Sequence, residues 1–315
     1  MKKIVKGLSH RAFSVDISNW PSNAKCLDGR HIIEHLAQNI SSQGAGSGSG
    51  LCLNYGAWDD VEYQKSITSN RSLVKVVRLE QLAIDDSIEE DLFEEKIDQI
   101  IRDVQLDLEN CFVLIDFESV FDVDVKKLLR PLDRMVKLLV RAGFKKIGVG
   151  GGSMTSEVAK YTDENSAKFL PRQEVELFHN LVDNSNVESP CFLDYGIRPP
   201  NFSSDFNNPN ANAKLRYTVP GGYMVHRGEA KTKTSLKVQH PRMAKNVCGS
   251  NYFSSIRFSW GDKQLIECMN NKLKSGALGL IIAIDTNHHL TYVSQEVASI
   301  VSGRTVQLVS KTEEV

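Results

Sequence analysis

Residues able to do chemistry gather in the last third of this 315-residue chain. Arg216-Tyr217-Thr218, His226-Arg227-Gly228, Ser259-Trp260-Gly261-Asp262 and Asn287-His288-His289 set cationic, acidic and imidazole groups between short apolar runs. A planar guanidinium matches the oxygens of phosphate in pairs. A histidine beside a carboxylate forms the base-and-orienter pair of acid/base catalysis. Asp194, Asp262, His288 and His289 are therefore the catalytic candidates, and Arg216, Arg227, Tyr195, Trp260 and Arg78 the substrate-binding candidates. Asp116 and Glu118, two residues apart on an extended stretch and so on one side of it, add a secondary carboxylate pair.

Each of these groups also has a plainer reading. Trp260 follows Phe258 and suits a core, a strand-end carboxylate can bond a lysine or a loop backbone, and a histidine at a helix start can bond backbone. If Asn287 caps a helix beginning at His288, the two adjacent rings point about 100° apart and at most one faces the interior. Asp16, Asp116, Glu118, Asp194 and a histidine could supply a divalent metal, but neither His-Glu-x-x-His nor Cys-x-x-Cys spacing occurs, so no metal residue is assigned and the cofactor is unknown. Gly150-Gly151-Gly152-Ser153 could seat a phosphate on backbone N–H groups, though it fits neither a Walker pattern nor Gly-x-Gly-x-x-Gly. Lys214–Val219 and Tyr223–Arg227 read as a hairpin turned at Pro220-Gly221. A two-residue loop puts Arg216, Thr218, Tyr223, Val225 and Arg227 on one face, whereas a three-residue loop separates the two arginines.

The elements that must hold these groups form a βα rhythm. Continuous apolar runs at Ala12–Ile17, Leu51–Tyr55, Leu73–Leu79, Cys111–Phe117, Lys146–Val149 and Cys191–Tyr195 suit strands covered on both faces, as in parallel sheets. Helical periodicity lies between them at Gly29–Ile40, from Ser87 to Leu108, at Val125–Ala142 and at Arg172–Val182, with Ser87 and Glu90 spaced as a capping box. Polar residues close each strand, at the end where parallel α/β folds bind ligands. The expected fold is α/β and TIM-barrel-like, an incomplete or open (β/α) barrel with a C-terminal hairpin-plus-helices extension. Six strands are two short of a closed barrel, so either a weak strand at Lys3–Lys6 completes it or an open edge needs a covering segment or a partner. The chain divides into a βα-repeat portion at 1–197, a basic portion at 198–303 beginning in the Pro/Asn-rich loop Arg198–Asn212, and a tail at 304–315. Ser41–Gly50 (SSQGAGSGSG) reads as a flexible connection.

Charge is uneven. Glu80–Asp124 carries sixteen acidic residues against two basic ones, and Lys214–Lys274 twelve basic against three acidic, although the net charge is −1. The basic third fits an anionic partner, a small molecule or a nucleic acid, while the acidic run suits a solvated helix face. No apolar run approaches a membrane span, and six dispersed cysteines point to buried thiols in a reducing, cytoplasmic compartment.

The ordered motifs Phe192-Leu193-Asp194-Tyr195-Gly196, Leu215-Arg216-Tyr217-Thr218, His226-Arg227-Gly228, Phe258-Ser259-Trp260-Gly261-Asp262 and Thr286-Asn287-His288-His289-Leu290-Thr291 resemble the C-terminal half of the Beta protein family of phages and bacteria, over about residues 190–300. The resemblance implies a barrel-like α/β protein encoded among mobile or phage-related genes, and it brings no settled activity with it. Two functions from different classes follow. One is a hydrolase, such as a phosphodiesterase, acting on a nucleotide or nucleic acid. The other is a non-catalytic recognition module that binds nucleic acid or a partner protein in phage defence.

Overall fold

The computed structural model describes residues 12–42, 48–200, 212–273 and 278–303. All six expected strands form, as β1 (Ser14–Val15), β2 (Gly50–Asn54), β3 (Val74–Leu79), β4 (Phe112–Ser119), β5 (Lys146–Gly152) and β7 (Ser189–Asp194), one parallel sheet in the order β1-β2-β3-β4-β5-β7. This is mixed α/β with an open-barrel type of sheet; closure as a TIM barrel is not formed by these six strands, and Lys3–Lys6 lies outside the described residues. A strand with no apolar run to announce it, β6 (Ser166–Pro171), joins β8 (Asn212–Val219) and β9 (Gly222–Ala230) in a second, antiparallel sheet ordered β6-β9-β8.

The helices are α1 (Ile32–Ser42), α2 (Val61–Ser69), α3 (Gln81–Asp86), α4 (Glu90–Val104), α5 (Lys126–Arg141), α6 (Val158–Tyr161), α7 (Gln173–Asn184), α8 (Leu236–Cys248), α9 (Trp260–Met269) and α10 (Leu278–Val301). The Ser87 capping box does not form. Helix α3 ends at Ser87, whose buried hydroxyl donates back to the Ile84 carbonyl, so α4 starts two residues later than expected with Glu89 at its cap. His288 and His289 also fall in the middle of α10, so Asn287 caps nothing.

Contacts divide the chain into two compact units. The first comprises Met1–Glu118, Asp124–Gly150 and Leu177–Leu193, and the second Ser119–Val123, Gly151–Glu176 and Asp194–Val315. In the first, strand residues Leu53, Val77, Leu79, Val113, Ile115 and Ile147 are buried, as the continuous apolar pattern requires. In the second, the hairpin is covered on both faces. Leu215, Tyr217 and Val219 pack against α8, α9 and α10 through Met243, Val247, Leu265 and Ile284, while Tyr223, Val225 and Leu170 pack on Met154, Val158 and Ile197. Each fully buried aliphatic side chain here contributes about 1.5–3 kcal/mol.

Candidate functional site

The register decides the hairpin loop. Val219 pairs with Gly222 and Lys214 with Arg227, leaving Pro220-Gly221 as a two-residue turn, with Gly221 at φ +68° as the second central position after a proline in a type II turn requires. Arg216, Thr218, Tyr223, Val225 and Arg227 therefore share one face, together with Lys214. Arg227 is anchored: its Nη1 donates to the Thr162 carbonyl at 2.7 Å, and Glu164 lies 3.9 Å from Nη2. Arg216 is half-buried, its Nε has no partner, and neither it nor Lys214 forms an ion pair among the described residues. Burial lowers the pKa of both; at Arg216 the Asp285 charge opposes this and the Arg198 charge adds to it, and at Lys214 the Arg216 and Arg227 charges add to it.

Helix α10 runs beside β8, the edge strand of the antiparallel sheet, and its side chains satisfy that edge. Asp285 Oδ2 accepts from the Arg216 N–H at 3.0 Å, and His288 Nε2 lies 2.9 Å from the Thr218 carbonyl oxygen. A carbonyl only accepts, so Nε2 carries a hydrogen; Nδ1 faces Asp262 Oδ2 at 2.9 Å, and one further proton is shared within that contact. Asp262 Oδ1 also accepts from the Tyr217 hydroxyl at 2.6 Å and Oδ2 from Ser259 Oγ, while the His288 ring stacks on Tyr217 with centroids 3.8 Å apart. Close approach of α9 to α10 makes this possible: a Cβ on Gly261 would stand 2.4 Å from the Ile284 carbonyl oxygen, and the Gly261 N–H donates to Asn287 Oδ1. Asp262 and His288 are fully buried, both ring nitrogens are occupied, and the pair is built as a structural tie. Trp260 stands at the start of α9, 47% exposed, so it is not the core residue its neighbours suggested.

His289 is buried as well, which corrects the expectation that only one of the two rings faces inward; α10 is enclosed on both sides at this point. Its Nε2 meets Asp194 Oδ2 at 2.9 Å, and its Nδ1 meets Thr218 Oγ1 at 2.9 Å. Burial alone would raise the Asp194 pKa, but His289, the Gly196 N–H at 2.9 Å and the Arg172 charge outweigh it and hold the carboxyl low. Tyr195 follows at the end of β7, half-buried. Around this chain lie groups that sequence reasoning missed. Arg172, 3% exposed, pairs with Glu296 and sits 5.8 Å from the Tyr223 ring and 5.6 Å from the Tyr292 ring. Glu174 is fully buried with its Oε2 bonded to Ser153, and burial pushes its carboxyl up to about 7 against that hydrogen bond. Burial pushes Asp285 up to about 8 against the pull of Arg216. A signal was present: Asp285, His288, His289, Tyr292 and Glu296 recur at helical spacing in a stretch that follows the apolar run Leu278–Ile284, a pattern consistent with one polar stripe along a helix.

In the first unit the carboxyl ends of β1, β2, β3 and β4 gather Asp16, Asn54, Arg78, Asp116 and Glu118. Arg78 Nε donates to Asp116 Oδ2 at 2.7 Å, with Asp16 at 3.5 Å and Glu118 at 3.7 Å from its Nη atoms. Asp116 Oδ1 accepts from the Glu118 N–H at 2.8 Å, and Glu118 holds φ +52°, a strained value for a residue with a side chain. Arg78, Asp116 and Glu118 thus do converge. The glycines after them do not seat phosphate: Gly150 lies within β5, where a Cβ would stand 1.7 Å from the Leu193 carbonyl oxygen, so they permit close strand approach. Among the described residues no three His, Cys, Asp or Glu side chains are grouped to hold a metal, and no helix is long and apolar enough to cross a membrane.

The family model for the Beta protein family matches residues 1–295, nearly the whole chain, where the motifs alone suggested a match confined to about 190–300. The chain belongs to the Beta protein family. The N-terminal βα portion is therefore as much a part of the family's pattern as the motif-rich end. No curated protein and no solved structure matches the chain.

Proposed function

We propose that this Beta family protein binds a phosphate-bearing ligand, a nucleotide or nucleic acid, on the hairpin face that carries Lys214 and Arg216. The observation behind this reading is the two-residue turn at Pro220-Gly221, which sets Lys214, Arg216 and Arg227 on one face, with no acidic ion-pair partner for the first two among the described residues. The two half-buried cations form no ion pair among the described residues, the buried Asp285 carboxyl being the opposing charge near Arg216, and an anion relieves both their desolvation and their mutual repulsion. The basic excess of the last third favours the same class of partner. A place in phage-related or phage-defence biology rests on the family resemblance, and a recognition module suits a site whose best-formed histidine–carboxylate pair is sealed in the core.

A thermal-shift and fluorescence-polarisation titration with inorganic phosphate, ATP and a labelled single-stranded oligonucleotide tests it. Arg216→Ala should weaken binding by roughly tenfold or more, the worth of a charge-assisted hydrogen bond, while Lys231→Ala leaves it unchanged. Absence of binding, or equal binding by Arg216→Ala, refutes the reading. A hydrolytic role is favoured by one arrangement, Thr218 Oγ1 to His289 Nδ1 and His289 Nε2 to Asp194 Oδ2, in which the hydroxyl could pass its proton to the ring as its oxygen bonds the phosphorus, the ester P–O bond breaking and the departing alkoxide taking that proton, before water releases the phosphoryl group from Thr218. Cleavage of bis-p-nitrophenyl phosphate that persists in Thr218→Val removes that role.

A further inference from the structure

The strand-end cluster of the first unit has the opposite charge demand. Among the described residues one guanidinium, Arg78, stands among three carboxylates, Asp16, Asp116 and Glu118, a formal excess of two negative charges (three minus one). Asp116 is fully buried and closest to Arg78, whereas the Asp16 and Glu118 side chains are 38% and 43% exposed and lie farther from it. The independent sign of a ligand is Asn54. Its residue is 3% exposed and paired in register with Arg78; its Nδ2 donates to Asp16 Oδ1 at 3.0 Å, and its buried Oδ1 has no hydrogen-bond partner. Reversing the amide would set its oxygen against the Asp16 carboxylate, so the unpartnered atom is an acceptor. Asp16 already accepts from the Ser18 N–H at 2.8 Å and the Ser18 hydroxyl at 3.0 Å, so the unmet capacity lies at Asn54 Oδ1 and the Glu118 carboxylate and is for a donor, at the end of a parallel sheet where α/β proteins bind ligands.

We infer that Asp16, Glu118 and the Asn54 Oδ1 bind an organic cation through its ammonium or guanidinium group, with Arg78 and Asp116 fixing the two outer carboxylates. Glu118 is held for this by its left-handed backbone, a conformation that persists only where the surroundings impose it.

Isothermal titration with agmatine, which carries a guanidinium at one end and an ammonium at the other, tests the assignment, with magnesium chloride as the competing arm. Asp16→Asn and Glu118→Gln keep shape on exposed side chains, and an unchanged melting midpoint confirms folding in each. Each should bind agmatine roughly tenfold more weakly than the parent chain, as expected for loss of one charge-assisted hydrogen bond. No heat with agmatine at millimolar concentration, or an affinity in both variants equal to that of the parent chain, overturns the proposal. So does magnesium that binds the parent and displaces agmatine.

Discussion

Removing the Asp262 carboxylate should destabilise the second unit's interior by more than half of what removing both members of its pair costs. Asp262→Ala deprives the Tyr217 hydroxyl at 2.6 Å and His288 Nδ1 at 2.9 Å of their acceptor, inside a site with no exposed surface. Breaking a buried pair from one side costs about 3–5 kcal/mol, because the partner stays buried and uncompensated. His288→Phe should cost a similar amount, since it leaves the carboxylate and the Thr218 carbonyl without the ring that links them. In the double variant the stranded charge is gone, so its cost should fall short of the sum by about 2 kcal/mol, within the range measured for residues in direct contact. Because two units make one whole-chain midpoint ambiguous, the measurement is hydrogen exchange in urea followed on peptides from β8, β9 and α10. Additivity within about 0.5 kcal/mol would refute a structural tie. Full stability in Asp262→Ala with loss of a hydrolytic activity would return both residues to catalysis.

The buried carboxyls make the second unit sensitive to alkali. Asp285 and Glu174 are raised to about 8 and about 7 in the fold, so the native state binds more protons than the unfolded chain and stability falls as pH rises from their ordinary range through those values, by at most about 1.4 kcal/mol per pH unit for each group. Chemical unfolding between about pH 5 and pH 9 should show this decline, and Asp285→Asn should flatten it; an unchanged slope contradicts the assignment. Gly261→Ala should separate α9 from α10 and destabilise by about 2 kcal/mol or more, with faster exchange around Asn287, because its Cβ would meet backbone and no flexible side chain can yield. Arg172→Met should lose about 3 kcal/mol by stranding Glu296, and Glu296→Gln in the same chain should recover part of it.

The parallel strands were legible because burial on both faces writes itself as uninterrupted apolar runs; β6 was not, since Ser166–Pro171 is an edge strand with most side chains exposed and has no such run. The Ser87 start was misread for a related reason: a serine three residues before a glutamate fits a cap equally well when it closes the preceding helix. Arg78, Asp116 and Glu118 could be found because strand ends are predictable positions, but their mutual distances depend on neighbouring strands and are invisible along the chain.

The histidine motif was found for its chemistry and explained by its geometry. An edge strand leaves N–H and C=O groups without partners, and α10 answers with Asp285 on the Arg216 N–H and His288 on the Thr218 carbonyl. Imidazole suits that task because it can donate to a carbonyl at one nitrogen while holding a carboxylate at the other, so one ring ties β8 to α9. The β8 edge of the antiparallel sheet is therefore covered by a helix of the same chain. What α10 spends on the strand it cannot spend on substrate, and among the buried polar atoms without a hydrogen-bond partner are Arg216 Nε on the hairpin and Asn54 Oδ1 at the strand ends. Those two positions, one short of an acceptor and the other short of a donor, are where ligands of opposite charge should first be sought.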